Sequence, residues 1–129
     1  MMYNRKIVVL VVVVFYCLSN FSSMGQDPDN LKEYVFVMLT KGPNRDQAEG
    51  DLNKIQVGHL QHIKEMSEKG ILSIAGPFKE ELDLRGILIF NSSDQEVVKK
   101  ELESDPAVSS GRLNYKLYNI YSTPGNCLQ

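Results

Sequence analysis

An α+β fold with the strand and helix order βαββαβ, the ferredoxin-like type, is what this sequence predicts, on three observations. Four short runs, residues 34–40, 71–75, 84–90 and 113–121, are rich in β-branched and aromatic side chains, as strands are. Between the first and second, and between the third and fourth, lie stretches with apolar residues at helical spacing. Between the second and third lies only a short charged link, which suits a hairpin. Right-handed crossovers then place both helices on one side of a four-stranded sheet.

The first strand, Tyr34-Val35-Phe36-Val37-Met38-Leu39-Thr40, does not alternate apolar with polar, so both of its faces need cover. A loop follows, with Gly42-Pro43 (too short to cradle a phosphate) and the charged run Asn44-Arg45-Asp46. Asp51 or Asn53 is the expected cap of the first helix, because a short side-chain oxygen satisfies free amides of the first turn. Leu52, Ile55, His59, Ile63 and Met66 recur at spacings of three, four, four and three, with Leu60 beside them, and form one stripe aimed at the sheet. Gly70 is the expected stop, since glycine accepts a left-handed turn. The second strand ends at Gly76-Pro77. Ser92 or Ser93 is expected to cap a second helix whose apolar side is Val97, Val98 and Leu102, and Asp105-Pro106 ends it, because proline lacks the amide and restricts the residue before it.

Residues 1–25 read differently. Arg5 and Lys6 precede an apolar run of 12 residues, 7–18, and small residues follow up to Gly25. That is the pattern of a secretory signal peptide, cut ahead of Gln26. A membrane span needs about 20 apolar residues, so anchoring by this segment is the alternative and not the expectation. The chain divides into a signal peptide over 1–25, a linker over 26–32, one domain over 33–122 and a tail over 123–129. Removing residues 1–25 takes away two basic and no acidic side chains, so the formal charge moves from −2 to −4. There is no basic cluster, which argues against nucleic acid as a partner. Secretion or a periplasmic location permits disulfides, yet only Cys127 remains after cleavage, so the core must hold by burial alone.

In this topology the end of the first strand, the first helix, the Gly76-Pro77 bend and the end of the second helix gather at one end of the domain. Met38, Thr40, Gly76, Pro77 and Pro106 are therefore the expected substrate contacts. His59 and Asp105 are the candidates for catalysis there. His59 has two readings: a core histidine satisfied by backbone, or a general base oriented by a carboxylate. Asp105 likewise reads as a helix terminator or as that carboxylate. His62 stands three residues from His59, a spacing that could serve a metal, but no Asp, Glu or Cys on the stripe completes a site, and none is expected. Arg85 and Arg112 could neutralise an anion but are expected at exposed edges. Asn91-Ser92-Ser93 matches a glycosylation acceptor and more simply belongs to a helix cap.

Taken together, the first strand, His59-Leu60 within a helix, Gly70 with Leu72, Ala75-Gly76-Pro77, and Asp105-Pro106 followed by Gly111 resemble the YciI-like (YCII-related) family over about residues 33–121. The resemblance implies a dimeric α/β barrel and a His-Asp site on His59 and Asp105, with the Ala-Gly-Pro bend as pocket wall. Where that family commonly has an aromatic after Asp-Pro, this chain has Ala107, so a wider pocket is expected. A bare, apolar second sheet face independently predicts a homodimer. The functional expectation is a cofactor-free lyase or isomerase acting on an unidentified small organic molecule. The alternative is a non-catalytic binding or assembly module with the same barrel.

Overall fold

The computed structural model describes residues 30–125. The expected signal peptide, most of the linker, and Cys127 lie outside the described residues. The chain runs β1 (Lys32–Lys41), α1 (Glu49–Glu68), β2 (Leu72–Pro77), β3 (Leu84–Phe90), α2 (Gln95–Glu103), α3 (Pro106–Ser109) and β4 (Leu113–Ser122). The strands form one antiparallel sheet in the order β2-β3-β1-β4. This is the ferredoxin-like arrangement, an α+β fold, with α3 as a short addition after α2.

One face of the sheet carries the core. Val35, Val37 and Leu39 of β1 and Leu88 and Phe90 of β3 pack with Leu72, with Met66 of α1 and with Val98 and Leu102 of α2. All of these are 4 % exposed or less, and burying each side chain is worth about 1.5–3 kcal/mol. The intervening residues of β1, Tyr34, Phe36, Met38 and Thr40, point to the other face and are half-buried. There Phe36 pairs across the strands with Ile89 and Tyr118, its ring 6.5 Å from that of Tyr118. No helix covers this second face among the described elements.

The helix ends depart from expectation in two places, each for a local reason. α1 begins at Glu49 behind Ala48, which offers no side-chain cap. The amides of Asp51 and Leu52 both already donate to the Ala48 carbonyl, so Asp51 and Asn53 lie inside the helix. Asp51 instead places a negative charge in the first turn, where the helix dipole favours it. α2 is capped by Asp94 and not by Ser92 or Ser93: Asp94 Oδ1 accepts from the Glu96 amide at 2.8 Å. Ser92 Oγ sits one step earlier and accepts from the Asp94 amide at 3.1 Å. Asn91 is not in the cap either; its side-chain amide donates to the Gly70 carbonyl at 2.8 Å and its oxygen accepts from Ser73 Oγ. Gly70 does take the left-handed turn, with φ 72°.

The apolar side of α2 is narrower than expected. Val98 and Leu102, one turn apart, have no exposed surface, whereas Val97 is 50 % exposed. Leu102→Ala should therefore lower unfolding free energy by about 2–5 kcal/mol, and Val97→Ala should stay within about 0.5 kcal/mol of the parent. Urea denaturation of both variants checks this; comparable losses would mean α2 is rotated from the described packing.

Candidate functional site

Two backbone features bring the expected catalytic residues together. In α1, Gly58 lies against Pro106: a Cβ built on Gly58 would stand 2.8 Å from Pro106 Cγ. The absence of that side chain lets the Asp-Pro turn approach the helix closely. The chain neighbours, His59 after Gly58 and Asp105 before Pro106, then meet. His59 Nδ1–H donates to Asp105 Oδ2 at 2.6 Å. Asp105 Oδ1 accepts from the Ala107 amide at 2.8 Å and so caps α3. Asp105 is thus a helix cap and a histidine partner at once.

The electrostatics of this pair follow from burial. Asp105 has no exposed surface, and a carboxylate so placed persists as an anion only if its oxygens are bonded. An ionised carboxylate can only accept, so Nδ1 carries the hydrogen and the lone pair of a neutral His59 resides on Nε2. The imidazole is 12 % exposed, and the exposed part opens into a cleft of about 310 Å³. His62 turns to the other helix, where its Nε2–H donates to the Glu101 carbonyl at 2.8 Å. It ties α1 to α2 and does not join His59.

The cleft lies between α1 and the core face of the sheet. Leu39, Ile55, Ile63 and Leu113 give it an apolar wall, Ala75-Gly76-Pro77 forms a side, and Ala107 lines it below His59. Of the expected substrate contacts, Gly76 and Pro77 line the cleft. Met38 and Thr40 are on the opposite sheet face, and Leu39 takes their place. Both faces of β1 are apolar, so residue type offers no phase with which to choose between odd and even positions. Pro106 is not among the lining residues; it packs under Gly58 and positions its neighbour.

The arginines also lie away from the exposed edges where they were expected. Arg85 and Arg112 line the cleft, and so does Arg45, which had attracted no functional reading. Arg85 is there because of a β-bulge. Leu39 pairs with Gly86 but Thr40 pairs with Leu84, so Arg85 is the extra residue. Such an insertion turns the side chain out of the strand's alternation, here toward α1. Arg45 and Arg112 are held by a docked loop: the Gly42 amide donates to the Arg112 carbonyl at 2.9 Å and the Asn44 amide to the Gly111 carbonyl at 3.0 Å. A lone cation beside glycine inside a strand was the available signal for Arg85; nothing local marked Arg45.

No known family model matches the chain, and no curated protein matches it either. Among solved structures, 5-chloro-2-hydroxyhydroquinone dehydrochlorinase (TftG) from Burkholderia phenoliruptrix AC1100, in complex with 2,5-dihydroxybenzoquinone, is similar over 70 % of this chain and 95 % of its own. The identity is 18 % and the TM-score 0.46, a likeness too distant to carry any functional argument.

The Gly58–Pro106 approach makes a direct prediction. Gly58→Ala gains up to about 1 kcal/mol of helix propensity but overpacks a rigid ring, which costs about 1–3 kcal/mol. A net loss of stability is expected, together with a mixed His59 tautomer in ¹⁵N-resolved histidine spectra. Unchanged stability with an unchanged Nδ1–H tautomer would show that the contact does not set the pair's geometry.

Proposed function

We propose that this chain is an exported YciI-like protein that catalyses a cofactor-free elimination or isomerisation, with His59 as general base. The observation that carries the reading is the 2.6 Å bond from His59 Nδ1–H to a fully buried Asp105, which leaves Nε2 free toward the cleft. A base needs an available lone pair and a fixed direction. Asp105 supplies both by holding the tautomer. In the step envisaged, Nε2 takes a proton from a carbon acid and becomes part of an imidazolium stabilised by Asp105. The C–H electron pair moves to the adjacent carbon. It then expels a leaving group with its own electrons, or the proton is returned at another carbon. In the elimination the imidazolium passes its proton to the departing group or to water, and in the isomerisation the proton returned to carbon itself regenerates neutral His59.

Membership of the YciI-like family is supported by the order of its motif residues and by the bonding of the two residues that correspond to its His-Asp site. Export is supported by the charge and hydropathy pattern of residues 1–25. Among the described residues no helix is long and apolar enough to cross a membrane. Pairing of two copies through the bare sheet face is supported by the run of Tyr34, Phe36, Met38, Ile87 and Ile89 there, since large apolar patches seldom stay open to water.

The catalytic reading is tested by hydrogen–deuterium exchange into a panel of enolisable cyclic ketones, followed by proton NMR in D₂O. Wild-type protein should label at least one member, and Asp105→Asn should slow labelling by about 10²–10⁴-fold, the usual worth of a positioned base. The asparagine can keep its oxygen on the Ala107 amide, while its NH₂ donates to Nδ1. That forces hydrogen onto Nε2 and removes the base without removing the cap. Labelling that is absent throughout, or unaffected by Asp105→Asn and by His59→Gln, would leave a non-catalytic binding module.

Light scattering tests the pairing. Residues 26–129 should give twice the monomer mass, and Phe36→Asp should give the monomer. A monomeric parent would overturn the dimer.

A further inference from the structure

Three arginines reach the cleft from three separate parts of the chain. Arg45 comes from the loop after β1, Arg85 from the bulge in β3, and Arg112 from the position before β4. Each is anchored by one nitrogen. Arg45 Nη1 donates to the Arg112 carbonyl at 2.9 Å, Arg112 Nη1 to Gln47 Oε1 at 3.2 Å, and Arg85 Nη1 more weakly to the Leu82 carbonyl at 3.5 Å. The remaining N–H groups of each fork stay available.

Among the described residues none of the three forms an ion pair. Guanidinium groups keep their charge, so gathering them in one place is repulsive. Arg45 registers the effect: it is held below its ordinary value, first by lost hydration and then by the charges of Arg112 and Arg85. An anion seated among them would offset this repulsion with charge-assisted hydrogen bonds. The neighbouring wall of Leu39, Ile55, Ile63 and Leu113 offers nothing to a fully hydrated inorganic ion. It suits hydrocarbon.

We propose that the cleft binds a small organic anion, its charged oxygens among Arg45, Arg85 and Arg112 and its carbon skeleton against the apolar wall beside His59. The proposal deepens the catalytic reading by naming the substrate class, and it rests on that reading only for the substrate's presentation to His59. The forks would also receive negative charge that develops on oxygen as a proton leaves carbon.

The test is titration of the full mature chain with benzoate, with its neutral isostere benzamide and with inorganic phosphate, followed by NMR shifts of the arginine Nε–H groups and of His59. Benzoate should bind at least about ten-fold more tightly than benzamide, and its affinity should fall as salt rises. Arg85→Lys and Arg112→Lys, which keep charge but lose the fork, should each weaken benzoate by about ten-fold. Lys64→Gln, an exposed charge on α1, should leave it unchanged. Equal binding of benzoate and benzamide, tighter binding of phosphate, or indifference to both arginine variants would overturn the proposal. Benzoate binding as described, with no deuterium labelling of any carbon acid, would uphold it and sink the catalytic reading alone. Labelling of neutral substrates without benzoate binding would do the reverse.

Discussion

A carboxylate with no exposed surface, shared between an imidazole and a backbone amide, is the constraint on which the site depends. An anion cannot lie under protein without partners, so Asp105 fixes both of them. The Ala107 amide ties it to the start of α3, and His59 ties it to α1. The same bonds that satisfy the charge therefore join two elements that also meet where the Pro106 ring lies on Gly58. Structure and chemistry are not separable here. The geometry that satisfies both oxygens of Asp105 is also the one that leaves Nε2 of His59 open to the cleft.

Much of the fold was legible because it is written in periodicities. The four strands, the long first helix and its glycine stop follow from residue type and spacing, and the sheet order follows from connection lengths and crossover handedness. Helix starts were less legible. Ser92, Ser93 and Asp94 are all competent caps, and only the path of the chain selects Asp94. Asp51 looks like a cap, but the first turn has already closed on the Ala48 carbonyl. Val97 and Val98 are adjacent and chemically identical, so their different burial depends on how α2 is rotated on the sheet.

Of the site, His59 was visible as the titratable residue on the apolar stripe of α1, and Asp105 as the residue before the helix-ending Pro106. The cleft lining was visible only in part. In β1 the faces are equally apolar, so Met38 and Thr40 could not be told from Leu39 by pattern. Arg85 was hidden by a register shift, a property of two strands together that neither reveals alone. Arg45 and Arg112 meet through a loop closure between positions far apart in the chain, and no local rule anticipates it.

The bulge at Arg85 has a consequence for how such a cleft can change. Without the bulge, simple alternation would carry the Arg85 guanidinium to the far side of the sheet. Deleting one position near the start of β3 would alter the cleft's charge while leaving the inventory of its wall almost intact. Related chains could then differ in ligand preference through a length change of a single codon, with no substitution at any residue that touches the ligand.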